Sequence, residues 1–427
     1  MSDGHRSRHN PKLAMVLSII FAGLGQLYNR RWIKGIIFIV AEIAFIVTLG
    51  SFVNEGIWGL RTLGTIPGEH HSIFLLIFGL ISLIILGFTI ALYVYNMIDA
   101  KKDAERIVRG EEKRSFIEAI SHAWDKGFPY VFVTPGLIML LFIAVLPLLF
   151  TIALAFTDYN LYNTPPRKLL NWVGFENFKN MVTLKVWKDT FFSVFAWTLV
   201  WTAIATTLQI ALGLILALLV NDPRIKFKRF IRTFLILPWA VPAFVTILIF
   251  AAMFNDKFGT INRDLLSMIN IAIPWLQDPF WTKTALIMIQ TWLGFPFVFA
   301  LFTGILQSVS KEWYEAADVD GGTRMQKFRY ITLPHIMYAT APLLIMQYAG
   351  NFNNFNIIYL FNNGGPAVRG QSAGGTDILI SWVYKLTFEL NQYNMAAAIS
   401  LILGLIVMGF AFFQFRRTRA FKEEGNI

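Results

Sequence analysis

The chain has 427 residues, of which 56% are hydrophobic, 15% charged and none cysteine, and its formal net charge is +11. Soluble domains carry about 25% charged residues, so a large water-soluble globule is excluded. The chain is too apolar to be disordered, and the lack of cysteine removes disulfides, thiolate metal sites and cysteine nucleophiles. In a soluble chain such a basic excess would point to nucleic acid. In an apolar chain it reports membrane orientation if it clusters in alternate loops.

A bilayer-crossing helix needs about 20 mostly apolar residues. The first apolar stretch, Leu13 to Tyr28, is short, contains Gly23 and Gly25, and has basic residues on both sides. It reads as an interfacial or re-entrant segment, and it lacks the small-residue cleavage site of a signal peptide. Eight longer stretches follow, at roughly 33–53, 73–98, 130–157, 190–220, 231–254, 284–307, 336–361 and 393–415. The expected fold is an all-α integral membrane protein with about eight transmembrane helices.

Lys and Arg divide unevenly between the loops. The two tails, the 29–34 turn and the loops 99–129, 221–232 and 311–335 hold 26 of the 37, and the intervening loops hold 11. The richer set faces the cytoplasm, which places both termini there. The opposite loops are too short for a folded domain of ordinary size, so a soluble partner must capture a dilute ligand.

Away from their ends, the spans from residue 73 onward contain no Asp, Glu, Lys or Arg. Ionisable groups inside a bilayer usually mark proton or ion pathways, so their absence argues against an ion-coupled carrier or a voltage sensor. Glu42 in the first span is the exception, and the simplest reading is a carboxylate hydrogen-bonded to a neighbouring helix. Neutral amides are concentrated instead. The span 336–361 holds Gln347, Asn351, Asn353, Asn354 and Asn356 within ten residues. At about 100° per residue Gln347, Asn351 and Asn354 share one face, with Gly350 at its edge. In 284–307, Gln290, Gly294 and Phe297 share a face with Leu293 beside them, and Pro296 is expected to loosen the helix. One or two amides would serve as helix–helix glue; five favour a polar path. Amides and an aromatic ring suit a sugar, which offers hydroxyls and CH faces and carries no charge.

The loop 308–335 carries the most specific pattern. Ser310 is a good N-cap and Glu312 falls in the first turn. Gly321 and Gly322 end that helix, a short basic helix follows, and Pro334 opens the next span. Glu315, Ala316, Ala317, Gly321, Ile331, Leu333 and Pro334 match, at every fixed spacing, the Glu-Ala-Ala (EAA) loop of ABC importer permeases. More of the chain, from about 130 to 420, resembles the maltose and maltodextrin permease subunits (MalF type). The matching text includes Leu235 to Pro242, Thr291 to Pro296, Asn351 to Phe355, Asn362 to Pro366, and Thr376 through Ile399.

The resemblance implies a type I importer permease core over 126–427, with the ABC transmembrane type-1 region at about 190–416. Residues 1–125 precede it as two spans, the interfacial segment and a basic connector. It implies a sugar site at Gln290, Leu293, Gly294, Phe297, Gln347, Gly350, Asn351 and Asn354, and an ATPase-docking loop centred on Glu315. The family's best-known member has Asn in place of Gln290 and an aromatic in place of Gly350, which implies a roomier fit here. It also has a large external insertion that the 158–189 loop cannot supply. The implied partners are a second permease subunit (MalG type), a homodimeric ABC ATPase, an extracytoplasmic sugar-binding protein touching the Gly364 to Pro366 turn, and membrane lipid. No nucleic acid is expected. No Gly-Lys dipeptide occurs, so no P-loop is present; ATP and Mg belong to the partner, and this chain needs no cofactor. Two other classes compete. A solitary secondary sugar carrier would not need the 308–335 loop, and a glycosyl-transferring enzyme would need a carboxylate near the path.

Overall fold

The structure is a computed structural model that describes residues 10–110 and 116–417, without the side chains of 116–123, 126 and 413–417. Lys113 and Arg114 of the basic connector, and the basic residues at 1–9 and 418–427, lie outside the described residues. Among the described residues there is no β-strand, only three isolated bridges. The chain divides into two compact units, Met1–Gly174 and Phe175–Ile427.

The first unit begins with α1 (Pro11–Ile20), capped by Asn10, whose side chain accepts the Lys12 and Leu13 amides, with Pro11 in the first turn. The chain reverses at Gly23, where φ is +91°, into α2 (Leu24–Tyr28). The segment expected to be interfacial or re-entrant is therefore a short helical hairpin. It packs on α3 (Trp32–Thr62) and α4 (Ser72–Val108). Side chains from those helices satisfy its turn. Glu42 of α3 accepts the Ala22 amide at 2.6 Å, and Asn96 of α4 accepts the Gly23 amide at 3.3 Å. Gln26 donates to the Asn96 carbonyl, Asn29 to the Ala100 carbonyl, and Lys34 bridges Asp99 at 2.7 Å and Asp103 at 3.3 Å. Glu42 thus holds the hairpin's backbone rather than marking an ion path. Replacing Glu42 by Leu should leave the Ala22 amide unsatisfied and loosen the hairpin by about 1–3 kcal/mol, which hydrogen exchange at 20–28 would read. Gly56 lets α3 and α4 close, since a Cβ there would lie 2.8 Å from the Phe78 carbonyl oxygen. Then α5 (Phe116–Leu140) passes through a π-turn at Leu141–Val145 into α6 (Leu146–Leu154).

In the second unit, α7 (Glu176–Thr183) leads into the long α8 (Lys185–Asn221). The next expected span is two helices, α9 (Lys228–Ala240) and α10 (Ala243–Met253), bent by 86°. Pro242 has no N–H and pushes Val241 to ψ 131°, which ends α9. By contrast α11 (Pro279–Ser308) runs unbroken through Pro296, so the expected loosening there does not interrupt the helix. Then come α12 (Lys311–Val319), α13 (Arg324–Lys327) and a π-turn at Phe328–Thr332. The 336–361 stretch is also two helices, α14 (Leu333–Phe352) and α15 (Phe355–Asn362). Asn353 and Asn354 sit at the break, as expected of side chains that compete with helical backbone bonds. Finally α16 (Leu379–Phe388) and α17 (Tyr393–Arg417) close the unit. Among the described residues, six helices are long and apolar enough to cross a membrane, seven with the bent α9–α10 pair. The eight expected stretches all appear as helix, but two are broken.

Two apolar clusters fill this unit. One joins Trp197, Trp201, Ala205, Leu286, Ile289 and Ile357; the other joins Ala217, Phe295, Val298, Phe299, Phe302 and Leu344. Along α8 and α11 the buried members of the two clusters stop at Ala205 and Ile289 and resume at Ala217 and Phe295, and the polar gap between them holds Gln209 and Gln290. Just below it the helices come close at Gly213, where a Cβ would lie 2.9 Å from Val298.

Candidate functional site

A cavity of about 340 Å³ opens midway along α11. Its polar lining is Gln290, Gln347, Asn354 and Asn356; its apolar lining is Trp239, Ala243, Ile247, Leu293, Gly294, Phe297 and Ile357. None of these is ionisable. The Phe297 ring meets the Trp239 indole edge-on with centroids 5.9 Å apart, which gives the cavity an aromatic wall.

Hydrogen bonds orient the amides. Gln290 donates to Asn351 Oδ1 at 2.8 Å and accepts from Asn354 Nδ2 at 3.1 Å. Asn351 donates to Thr206 Oγ1 at 2.8 Å, and its carbonyl accepts the Trp201 indole N–H at 2.9 Å. Gln209 of α8 donates to Gln347 Oε1 at 3.3 Å. Gln290 is buried and committed to protein partners on both its oxygen and its nitrogen. The lining groups that no protein hydrogen bond engages among the described residues are Gln347 Nε2, Asn354 Oδ1 and the Asn356 amide, together offering donors and acceptors. Such a set recognises hydroxyls, not ions.

Of the eight expected site residues, Gln290, Leu293, Gly294, Phe297, Gln347 and Asn354 line the cavity. Two do not. Asn351 is buried behind Gln290 and ties α14 to α8 and α11. Gly350 is exposed, and a Cβ built on it would meet nothing within 4 Å. The helical-face argument also fails for Asn354, because α14 stops at Phe352; the break, not the period, delivers Asn354 to Gln290. Trp239 and Asn356 line the cavity unforeseen, and Thr206 and Gln209 stand behind it. For α8 the available signal was the Thr202, Thr206, Gln209, Gly213 spacing within an apolar span.

The second expected feature is the loop between α11 and α14. Ser310 caps α12 by accepting the Glu312 amide at 3.2 Å, and Gly321 takes φ +73° after α12 ends. Thr323 and Gln326 form a capping box that starts α13. Tyr314 reaches back to Thr332 at 2.8 Å, and Lys327 bonds Asp318, so the two helices hold one shape. Glu315 and Ala316 are exposed, Ala317 is half-buried and packs near Gly322, and Gly321 is exposed. Ile331 and Leu333 are half-buried and Pro334 sits in the first turn of α14. Beside Glu315 the loop leaves Val319 88% and Met325 70% exposed, apolar surface of the kind a partner covers.

A third cluster lies at the opposite end of α8, unforeseen in the sequence. Asp377 is buried and pairs with Lys385 at 2.7 Å; it also accepts the Gly374 amide at 2.7 Å and the Ser381 hydroxyl at 2.8 Å. Lys385 donates further to the Asn363 carbonyl. The Trp197 indole donates to the Thr376 carbonyl at 3.0 Å, tying this loop to α8. Burial pushes the Asp377 carboxyl above its ordinary value, opposed by Lys385.

A helical membrane unit with a neutral polar cavity and a rigid protruding loop describes the transmembrane component of a transport system. The sequence profile for binding-protein-dependent transport system inner membrane components matches residues 209–420. The chain is 50% identical to the galactooligosaccharides transport system permease protein GanP of Bacillus subtilis (strain 168), over 97% of this chain and 99% of that one. It is 47% identical to the maltodextrin transport system permease protein MdxF of the same organism, over 99% of each chain. A crystal structure of a bacterial ABC transporter involved in alginate import has the same fold, with TM-score 0.59 at 21% identity, covering 71% of this chain and 99% of that one. The chain belongs to the family of binding-protein-dependent transport system inner membrane components: it is a multi-pass, non-catalytic permease subunit of an ABC importer.

Proposed function

We propose that this permease carries an uncharged oligosaccharide of the maltodextrin type across the cytoplasmic membrane in an ATP-driven importer. One observation carries the reading: the cavity beside α11 is lined by four neutral amides, two aromatic rings and no ionisable group. Hydroxyls would bond Gln347, Asn354 and Asn356, while a sugar's CH face would lie on Phe297 and Trp239. Asn351 would hold Gln290 from behind. A galactooligosaccharide is the second reading, favoured by 50% identity to GanP against 47% to MdxF and 44% to a pneumococcal maltodextrin permease.

In this reading both termini and the α12–α13 loop are cytoplasmic, since 26 of 37 basic residues fall on that side. The loop, with Glu315, Ala316, Ala317 and Gly321 on α12 and its C-terminal turn, docks on one copy of a homodimeric ABC ATPase. Ile331, Leu333 and Pro334 transmit its movement into α14. ATP and Mg are held by that partner. A second permease subunit of the MalG type completes the path, and an extracytoplasmic sugar-binding protein meets the Gly364 to Pro366 turn. The core over 126–427, with its type-1 region at about 190–416, performs transport.

The test is reconstitution of all four components in vesicles, with sugar-stimulated ATP hydrolysis measured over malto- and galacto-oligosaccharides and an acidic oligosaccharide. Stimulation by neutral sugars alone is the expected result, and the stronger series identifies the substrate. Sugar uptake by this chain without an ATPase would refute the reading. Asn354→Ala and Phe297→Ala should each raise KM about tenfold, the worth of one net hydrogen bond or ring contact, at unchanged complex yield. Asn351→Ala is a poorer probe, because it also removes the joint between α8, α11 and α14.

A further inference from the structure

One side chain behind the cavity touches two of the cavity's amides, Gln290 and Gln347, and Asn351 behind them. Gln209 lies on α8 in a buried stripe with Thr198, Thr202, Thr206 and Gly213. Its Oε1 accepts from Gln290 Nε2 and from Asn351 Nδ2, both at 3.4 Å, and its Nε2 donates to Gln347 Oε1 at 3.3 Å. It is 0% exposed, so water cannot replace these partners. It also lies against Gly294: a Cβ on residue 294 would overlap the Gln209 amide, with Cδ only 2.6 Å away.

We infer that Gln209 is a positioning residue for sugar selection, and that residue 294 is glycine to seat the Gln209 amide. The inference rests on the cavity being the sugar site. An amide presents a donor on one side and an acceptor on the other, and the two are interchanged by a half-turn about its last torsion. By donating to Gln347 Oε1, Gln209 turns Gln347 Nε2 toward the cavity as a donor. By accepting from Gln290 Nε2 alongside Asn351 Oδ1, it helps keep Gln290 Oε1 for Asn354, whose own Oδ1 then remains an acceptor. Without Gln209, no other hydrogen bond among the described residues fixes the Gln347 amide, and the same side chain offers either polarity to a hydroxyl. The result is a site that still holds sugar but distinguishes less well between sugars differing at one hydroxyl. Buried groups left without a partner are what make such discrimination large.

Two variants remove the hub: Gln209→Met keeps the volume, and Gln209→Ala opens space over Gly294. In the reconstituted four-component importer, Gln209→Met should raise KM for the preferred sugar roughly tenfold. It should also reduce preference over the single-deoxy analogue by about fivefold, with complex yield and unstimulated ATP hydrolysis unchanged. An unaltered preference ratio would overturn the inference. The seating of Gly294 is read by a double-mutant cycle. Gly294→Ala alone should lower uptake at least tenfold, by displacing Gln209. In the Gln209→Ala background the same change should cost less than about twofold. If the two losses multiply, Gly294 serves the path directly and the seating is wrong. A failure of the sugar-site reading looks different: Asn354→Ala and Phe297→Ala would leave KM unchanged, while the 209–294 coupling would persist in the thermal stability of the complex.

Discussion

Glu315→Lys should largely abolish sugar-stimulated ATP hydrolysis and sugar uptake, lowering both by about thirtyfold or more, while the ATPase keeps its own basal turnover. Glu315 is exposed on α12 beside Val319 and Met325, which are 88% and 70% exposed. The helix is stiffened by the Ser310 cap, the Tyr314–Thr332 bond and the Lys327–Asp318 pair, so force applied to it passes into α14 and not into bending of the loop. Reversing a charge where a partner desolvates it costs about 2–5 kcal/mol, which corresponds to roughly 30- to 4,000-fold. Glu315→Gln, which removes the charge and keeps the shape, should fall between the variant and the wild type. The measurement is ATP hydrolysis with and without sugar, together with recovery of the ATPase on the purified permease. Wild-type stimulation and recovery in Glu315→Lys would show that the loop is not the handle.

The second large effect is on stability. Lys385→Met leaves Asp377 buried without its cation, and breaking such a pair by removing one partner costs about 3–5 kcal/mol. The sign with pH follows from the carboxyl. Burial already raises the folded-state value of Asp377, with Lys385 as the largest opposing influence, so the variant moves it further up. The folded variant then holds a proton at pH values where the unfolded chain, with its ordinary carboxylate value of about 3.9, does not. Stability should therefore increase as pH falls toward that ordinary value, and be lost as pH rises through the elevated folded value. Thermal unfolding of the purified complex between pH 5 and 8 reads this, as a difference between variant and wild type. Asp377→Asn with Lys385→Met should recover most of the loss, because no buried charge remains. A flat difference across that range would place the destabilisation elsewhere.

The residues on α11 were legible because the helix is unbroken. Gln290, Leu293, Gly294 and Phe297 follow its period and all reach the cavity. The same reasoning was unsafe one span later. Asn354 does reach Gln290, but across the break after Phe352, and Asn351 on the intact part of α14 points behind the cavity. An amide-rich run signals a polar site, yet the amides themselves compete for backbone bonds, so the richer the run, the less a regular helix describes it. Gln209 is a lone amide in an apolar span, marked only by its spacing with Thr202, Thr206 and Gly213, and Asp377 meets Lys385 because the lysine reaches from α16 onto the loop before it, where it also donates to the Asn363 carbonyl.

Composition and spacing alone determined that this chain lives in a membrane as helices, that its loops carry the charge bias on which the proposed orientation rests, and that its 308–335 loop holds two short capped helices. Those follow from transfer free energies, loop charge and cap chemistry, which are local quantities. What only the tertiary structure decided is which amides face a ligand and which are used up on one another. That depends on where helices break and on which neighbour takes each hydrogen bond, and a buried amide with two partners chooses between them by position in space, not by position in the chain.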